Sequence, residues 1–485
     1  LKNTQAFDPE NFRQEAHAVV DRLADYLQTL QESKAVGPVL PWIPPNQLLQ
    51  RWNADFTQIR NPQDLIREVI AGSNHLHHPH YVGHQVTAPL PLTTLFSWVS
   101  AFLNNGSAVY EMGMVSSVME RRALQWMARR LGFSEAADGV LTSGGSLGNL
   151  TALLAARQAK VGFDVWRDGQ EAGPPLAVLV SDQAHYCIKR AVQIMGWGDA
   201  GVRLVPSDSH YRMCTDALEQ KLKEAEDEGR KVIAVVGSAC STATGSIDPL
   251  HEIADFAERH QLWFHVDGAH GASFVLDPEL QKKMRGIERA DSVVWDAHKM
   301  LLTPALITAV IFRNGKHSYE SFAQKASYLF GDEISEQDNW YDLGTRTLEC
   351  TKNMMGFVLY ASLASHGEDF FAHYVRAMVD LAQRFAQLIQ EAPDFELAVL
   401  PAANIVCFRY LGEGRPGEEA DALQERLRNQ VIASGRFYLV QTRLRGNLFL
   451  RTTLINPATD IGHLQELLND LRKLACQVLS DDGKS

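Results

Sequence analysis

Asp267 and Lys299 each stand at the end of a short apolar run, Trp263–Val266 before the one and Ser292–Trp295 shortly before the other, and small residues, Gly268-Ala269, follow the aspartate. A carboxylate at the end of an apolar strand is costly unless a cation or a donor faces it. A lysine beside an aromatic, apolar stretch becomes a nucleophilic amine where desolvation lowers its hold on the proton. On neighbouring strand ends the two suit a cofactor that carries an aldehyde on a pyridine ring, pyridoxal phosphate. The acid keeps the ring nitrogen protonated and the amine forms an imine. A plain structural ion pair is the alternative. Two further segments bear on the choice. Ser143-Gly144-Gly145-Ser146-Leu147-Gly148-Asn149 precedes a helical pattern over Leu150–Lys160, and glycines at a helix start let backbone N–H groups close on an anion. Taken alone, such a turn is more often only a turn. His185 ends Ser181-Asp182-Gln183-Ala184-His185, where it could stack on a planar ring or move a proton; alone it reads as a hydrogen-bonded structural histidine.

Such residues need a frame that brings strand ends together. Between Pro89 and His366 short apolar runs alternate with helical ones. Candidate strands are Leu176–Val180, Val202–Val205, Val232–Val236, Trp263–Val266, Ser292–Trp295 and Ile307–Phe312. Continuous β-branched runs separated by helices predict an α/β domain with a parallel sheet covered on both faces, its chemistry gathered at the carboxyl ends of the strands. Upstream, Asp8-Pro9-Glu10 and Asn61-Pro62 are helix starts, and Phe12, Ala16, Val19, Leu23, Leu27 and Leu30 recur at helical spacing. Downstream, strands near Phe395–Val399, Ile405–Tyr410, Phe437–Gln441 and Leu448–Thr453, with a helix near Glu418–Ala433 and a last helix, predict a small α+β unit. The expected organisation is a helical arm over 1–88, a large domain over 89–366 and a small domain over 367–485.

The 485 residues are 45% hydrophobic and 21% charged, ordinary globular usage, and the net charge is −12. That balance argues against a general nucleic-acid binder but leaves room for a local phosphate site. Six scattered cysteines with no Cys-x-x-Cys pair predict reduced thiols. Leu1–Glu10 has no apolar signal core, and the longest apolar stretch, Leu301–Phe312, falls short of the about 20 residues a membrane span needs. A cytoplasmic location without membrane association is expected. The histidines at 75, 77, 78, 80 and 84 lie in a proline-broken stretch with no cysteine or acidic cluster, so no metal site is expected.

Three of the four chemical segments together resemble the signature of the group II pyridoxal-phosphate amino-acid decarboxylases: Ser181-Asp182-Gln183-Ala184-His185, His265-Val266-Asp267-Gly268-Ala269 and His298-Lys299. The likeness runs from His78-Pro79 to the Arg451 region. It implies the fold type I architecture of the aspartate-aminotransferase superfamily, bound pyridoxal 5'-phosphate and a homodimer. It also implies roles: Lys299 as the Schiff-base lysine, Asp267 on the pyridine nitrogen, His185 stacked on one ring face and Ala269 on the other. Gly145 and Ser146 would hold the phosphate, with His298 beside it and Thr242 near the cofactor. Thr87 and His84 would line the substrate entrance, Arg451 would meet the substrate carboxylate, and Tyr328 would return a proton to the substrate carbon.

Three positions depart from the family's pattern. Asp296 stands where asparagine is common near the phosphate, which a carboxylate would repel unless protonated or turned away; Thr345 replaces the first arginine of a Gly-Arg-Arg; and His84 replaces a substrate-contacting glutamine of the glutamate and cysteine-sulfinate enzymes, which counts against those two substrates. The stretch His77–His84 is similar to the diaminobutyrate branch, with aromatic and acidic substrates also open. An aminotransferase or sulfur lyase on the same cofactor, or a non-catalytic binding protein, are the rival functions; Ser181–His185 together with Tyr328 favours decarboxylation.

Overall fold

The computed structural model describes residues 4–31, 37–52, 56–322, 340–412 and 417–482. They form two compact units: Leu1–His84 with Arg384–Ala398 and Val406–Ser485, and Gln85–Gln383 with Val399–Ile405.

The larger unit is built on seven strands: β1 (Asp138–Thr142), β2 (Leu176–Ser181), β3 (Val202–Val205), β4 (Lys231–Ser238), β5 (Trp263–Asp267), β6 (Ser292–Asp296) and β7 (Thr308–Phe312). They lie in the order β1-β7-β6-β5-β4-β2-β3. β2, β5, β6 and β7 are buried along their whole length, as unbroken valine, isoleucine and tryptophan runs require when both sheet faces are covered. β3 lies at one edge and carries the exposed Leu204 and the charged Arg203, which is paired with Glu228.

Each strand expected in this region is present to within two residues, and one more, β1, joins them. The sheet departs from all-parallel at one place: β7 runs antiparallel to both β6 and β1. Thr308 therefore faces Asp296 on one side and Thr142 on the other. The ends of β1 and β6 thus reach the same sheet edge as those of β5, β4 and β2.

In the smaller unit, β8 (Phe395–Leu397), β9 (Ile405–Tyr410), β10 (Val440–Leu444) and β11 (Asn447–Thr453) form a four-stranded sheet in the order β10-β11-β9-β8. The helix Pro9–Gln31 starts where the capping acid and proline predict, and Asn61 caps the helix Pro62–Gly72 by accepting from the Gln63 amide at 2.8 Å. The histidine run is used in packing: Tyr26 O–H lies 3.0 Å from His75 Nδ1, and the His80 ring stacks on Phe437 at 4.0 Å. All six cysteines are free thiols. Among the described residues no helix is long and apolar enough to cross a membrane.

Candidate active site

The helix after β1 begins at Gly145, five residues earlier than its apolar pattern suggests. The glycine-rich segment is thus the first helical turn rather than a loop before it. Gly144 takes φ +121°, a conformation open to glycine, and no side chain caps the turn. The N–H groups of Gly145, Ser146 and Leu147 therefore present the unpaired donors and positive partial charge that suit a phosphate. Space there is tight. A Cβ on Gly145 would lie 3.1 and 3.2 Å from the Asp296 carboxylate oxygens and 3.6 Å from the Ala269 methyl.

Asp267 ends β5 in register with Ser238 of β4 and Val294 of β6. It is 9% exposed, and its Oδ1 accepts from the Ala269 amide at 3.2 Å. The turn after β6 delivers Lys299, whose Nζ lies 3.0 Å from Asp296 Oδ2. Asp296 Oδ1 accepts from Thr308 Oγ1 at 2.6 Å, and His298 Nε2 lies 3.6 Å from Oδ2. The condition that desolvation loosens the proton of Lys299 is not met in the cofactor-free chain. Burial does push in that direction, but the charges of Asp296 and Asp267 outweigh it, and the Lys299 affinity for its proton is raised.

His185 begins the helix Tyr186–Ile194, its Nδ1 accepting from the Cys187 amide at 3.3 Å. Burial lowers its pKa, with Lys299 and Arg190 adding to that and Asp267 and Asp296 opposing. A neutral ring with Nδ1 as acceptor follows. Behind it runs a buried chain of donors and acceptors. Trp263 Nε1 donates to Ser292 Oγ at 2.8 Å, and Ser292 lies 2.8 Å from His265 Nδ1. His265 Nε2 is 2.7 Å from Asn149 Oδ1, and Asn149 Nδ2 donates to the Gly145 carbonyl at 2.9 Å and to Cys187 Sγ at 3.3 Å. One network thus ties the uncapped helix turn, the start of the His185 helix, β5 with Asp267 and β6, whose following turn carries Lys299.

Of the other expected residues, Thr242 is half-buried in the turn after β4, where Ser241 and Thr244 hydroxyls are 2.9 Å apart. Thr87 is buried and hydrogen-bonds to the Tyr374 hydroxyl oxygen. His84 and Arg451 belong to the smaller unit, where burial and the Arg451 and Arg428 charges keep His84 neutral. Tyr328 lies outside the described residues. Thr345 donates its hydroxyl to the Asp342 carbonyl at 2.7 Å, while Arg346 is buried with Asp138 at 3.0 Å.

Sequence reasoning gave no role to Asn149 or Thr308. A polar residue inside a segment otherwise buried is the signal that could have found them, because such a group needs partners.

The residues present fit a phosphorylated pyridine aldehyde: uncapped helix donors for the phosphate, a buried carboxylate on β5 and an amine on the turn after β6. An α/β sheet that brings these groups to one edge is that of the fold type I enzymes, which work through pyridoxal 5'-phosphate. The family described as the pyridoxal-dependent decarboxylase conserved domain matches residues 45–411, and the chain belongs to it. It is a pyridoxal-phosphate-dependent amino-acid decarboxylase, a carboxy-lyase. The chain is 26% identical to the aromatic-L-amino-acid decarboxylase of Bacillus atrophaeus over 97% of its own length and 96% of the relative's. It is 30% identical to the aspartate 1-decarboxylase of Aliivibrio fischeri, over 87% and 86%. The solved structure of mouse CSAD in apo form superposes with a TM-score of 0.89 at 26% identity, covering 96% of this chain and 99% of that one.

Proposed function

We propose that the chain releases carbon dioxide from an L-amino acid with Lys299, Asp267 and His185 as its catalytic residues, Gly145, Ser146, Thr242, Ala269 and His298 completing the cofactor site. Bound pyridoxal phosphate supplies an aldehyde for the amine and a ring that accepts the electron pair left behind by the departing carboxylate. The observation that carries the assignment is the convergence of Lys299, Asp267 and the uncapped Gly145 turn at one sheet edge. Asp267 holds a proton on the ring nitrogen by its charge in a water-poor setting. A neutral His185 ring would lie beside a cationic ring without repelling it. On the family's pattern, Arg451 orients the substrate carboxylate, Thr87 and His84 shape the entrance, and Tyr328 returns the proton to the carbon.

The substrate classes in view are 2,4-diaminobutyrate, aromatic and acidic amino acids. A homodimer is part of the same reading. It is supported by exposed apolar side chains in the larger unit, Leu95, Val99 and Phe102 of the helix Pro91–Leu103 and Met114, Val115 and Val118 of the helix Tyr110–Arg130. A groove of about 460 Å³ is lined by Tyr110, Val118 and Tyr360, and exposed apolar side chains gathered in this way mark association sites.

The test is Lys299→Ala. Loss of both carbon dioxide release across an amino-acid panel and the visible absorption of the loaded protein is expected. Normal turnover by the variant removes the assignment.

A further inference from the structure

Two carboxylates act on the Lys299 amine, and a ring nitrogen needs only one of them. Asp267 is the one at the end of β5. Asp296 is 2% exposed and fixed on both oxygens, by Lys299 Nζ at 3.0 Å and by Thr308 Oγ1 at 2.6 Å. Both its oxygens lie 3.1–3.2 Å from where a Cβ on Gly145 would stand, so the carboxylate sits close under the helix turn. A buried charge held in this way favours the ammonium form of its partner. An amine attacks an aldehyde only once it has lost that proton.

We propose that Asp296 is a positioning residue that holds Lys299 as an ammonium in the cofactor-free chain and so sets the pH at which the lysine captures pyridoxal phosphate. This rests on the reading of Lys299 as the cofactor lysine. In the capture step the ammonium gives one proton to solvent, and the nitrogen lone pair adds to the aldehyde carbon. The aldehyde oxygen leaves as water and a C=N bond replaces C=O, with no change of oxidation state. The groups that face the amine are Asp296 and His298 from its own turn, Asp267 from β5, Cys240 after β4, and His185 and Cys187 from the start of their helix. Asp267 and Cys240 act in the same direction as Asp296, and burial acts against all three. Of these, Asp296 alone is in hydrogen-bond contact with Nζ.

The experiment uses protein freed of cofactor, to which pyridoxal phosphate is added across a pH series while the rate of appearance of the imine band is recorded. Removing an opposite charge at this range should lower the midpoint of capture by about 1–3 pH units in Asp296→Asn. Thr308→Val removes a neutral donor from the same carboxylate and leaves its charge, so its midpoint should stay at or above that of the wild type. An unmoved midpoint in Asp296→Asn overturns the proposal, and so does an equal fall in Thr308→Val. Should Asp296→Asn not fold, the pH dependence of reductive methylation at Lys299 in the wild-type apoprotein, followed by peptide mass spectrometry, decides. A midpoint above that of the exposed lysines supports the proposal, and one at or below theirs overturns it. A band that persists in Lys299→Ala refutes the cofactor-lysine reading itself, a result distinct from either of these.

Discussion

His265 lies two residues before Asp267 on β5, fully buried, and its two ring nitrogens are committed to different partners. Asn149 gives its amide hydrogens to Gly145 and Cys187, so its oxygen faces His265 Nε2 and requires a proton there. Ser292 accepts from Trp263 and turns its own hydrogen toward His265 Nδ1. The ring is therefore neutral, with its one proton on Nε2, and a second proton would place a full charge in this enclosed setting. Burial, opposed by Asp267 and by the Ser292 contact, lowers its pKa from 6.5 to about 4. Above 6.5 the ring is neutral in both folded and unfolded chains. Between the two values the unfolded chain binds more protons, so stability rises with pH across that window. The contribution is fully present above 6.5 and is lost as pH falls toward about 4. At about 1.4 kcal/mol per pH unit, that gap amounts to roughly 3 kcal/mol. The perturbation is acid, and the control is His265→Asn, which cannot take the proton and is too short to reach Asn149. Urea-unfolding midpoints measured at steps across this window compare the two proteins without assuming a single two-state transition for a chain of two units. At neutral pH the variant should be weaker by about 1–3 kcal/mol for the lost bond, and the difference should close as pH falls. Curves that run parallel through the window would refute the assigned hydrogen-bond pattern, because they would mean that the site accommodates the charged ring.

Two other substitutions follow from buried contacts in the same unit. Lys352→Met leaves Glu120 charged and enclosed, since the pair is 2% and 1% exposed and joined at 2.6 Å; a loss of about 3–5 kcal/mol is expected, with most of it recovered in Lys352→Met/Glu120→Leu. Denaturation midpoints check this, and a double variant no better than the single would show that packing rather than charge dominates. Gly145→Ala places a methyl 3.1 Å from a carboxylate that Thr308 and Lys299 hold fast. Alanine favours the helix by about 1 kcal/mol, so the fold should survive while cofactor affinity falls at least about tenfold; equilibrium dialysis giving an unchanged Kd would contradict the tight-cradle reading.

The buried strands were legible because each is a short run of mostly apolar residues, as a strand covered on both faces requires. That same uniformity hides direction: nothing in Thr308–Phe312 distinguishes a parallel strand from the antiparallel one it forms. β1 is hidden because Asp138 and Gly139 dilute its pattern, although Gly139 is required there, since a Cβ would run into the Val310 carbonyl oxygen. The start of the Gly145 helix was misplaced for a related reason. Glycine and serine are poor helix formers, and what keeps them helical is tertiary: Gly148 packs its backbone against Thr308, Val310 and Val294.

Charged residues show where sequence reading stops. Asp267 and Lys299 were found because an apolar run ending in a charge is a local anomaly. Glu120 and Lys352, 232 positions apart, read separately as solvated charges, and only the fold reveals that each is buried by the other. Asp296 falls between these cases. The sequence shows a carboxylate in an awkward place near a phosphate, but the sign of its effect depends on Thr308 and Lys299 lying on its two oxygens. Once those distances are known, the awkward charge becomes a partner of the amine, and its consequence moves from repelling the cofactor to timing its capture.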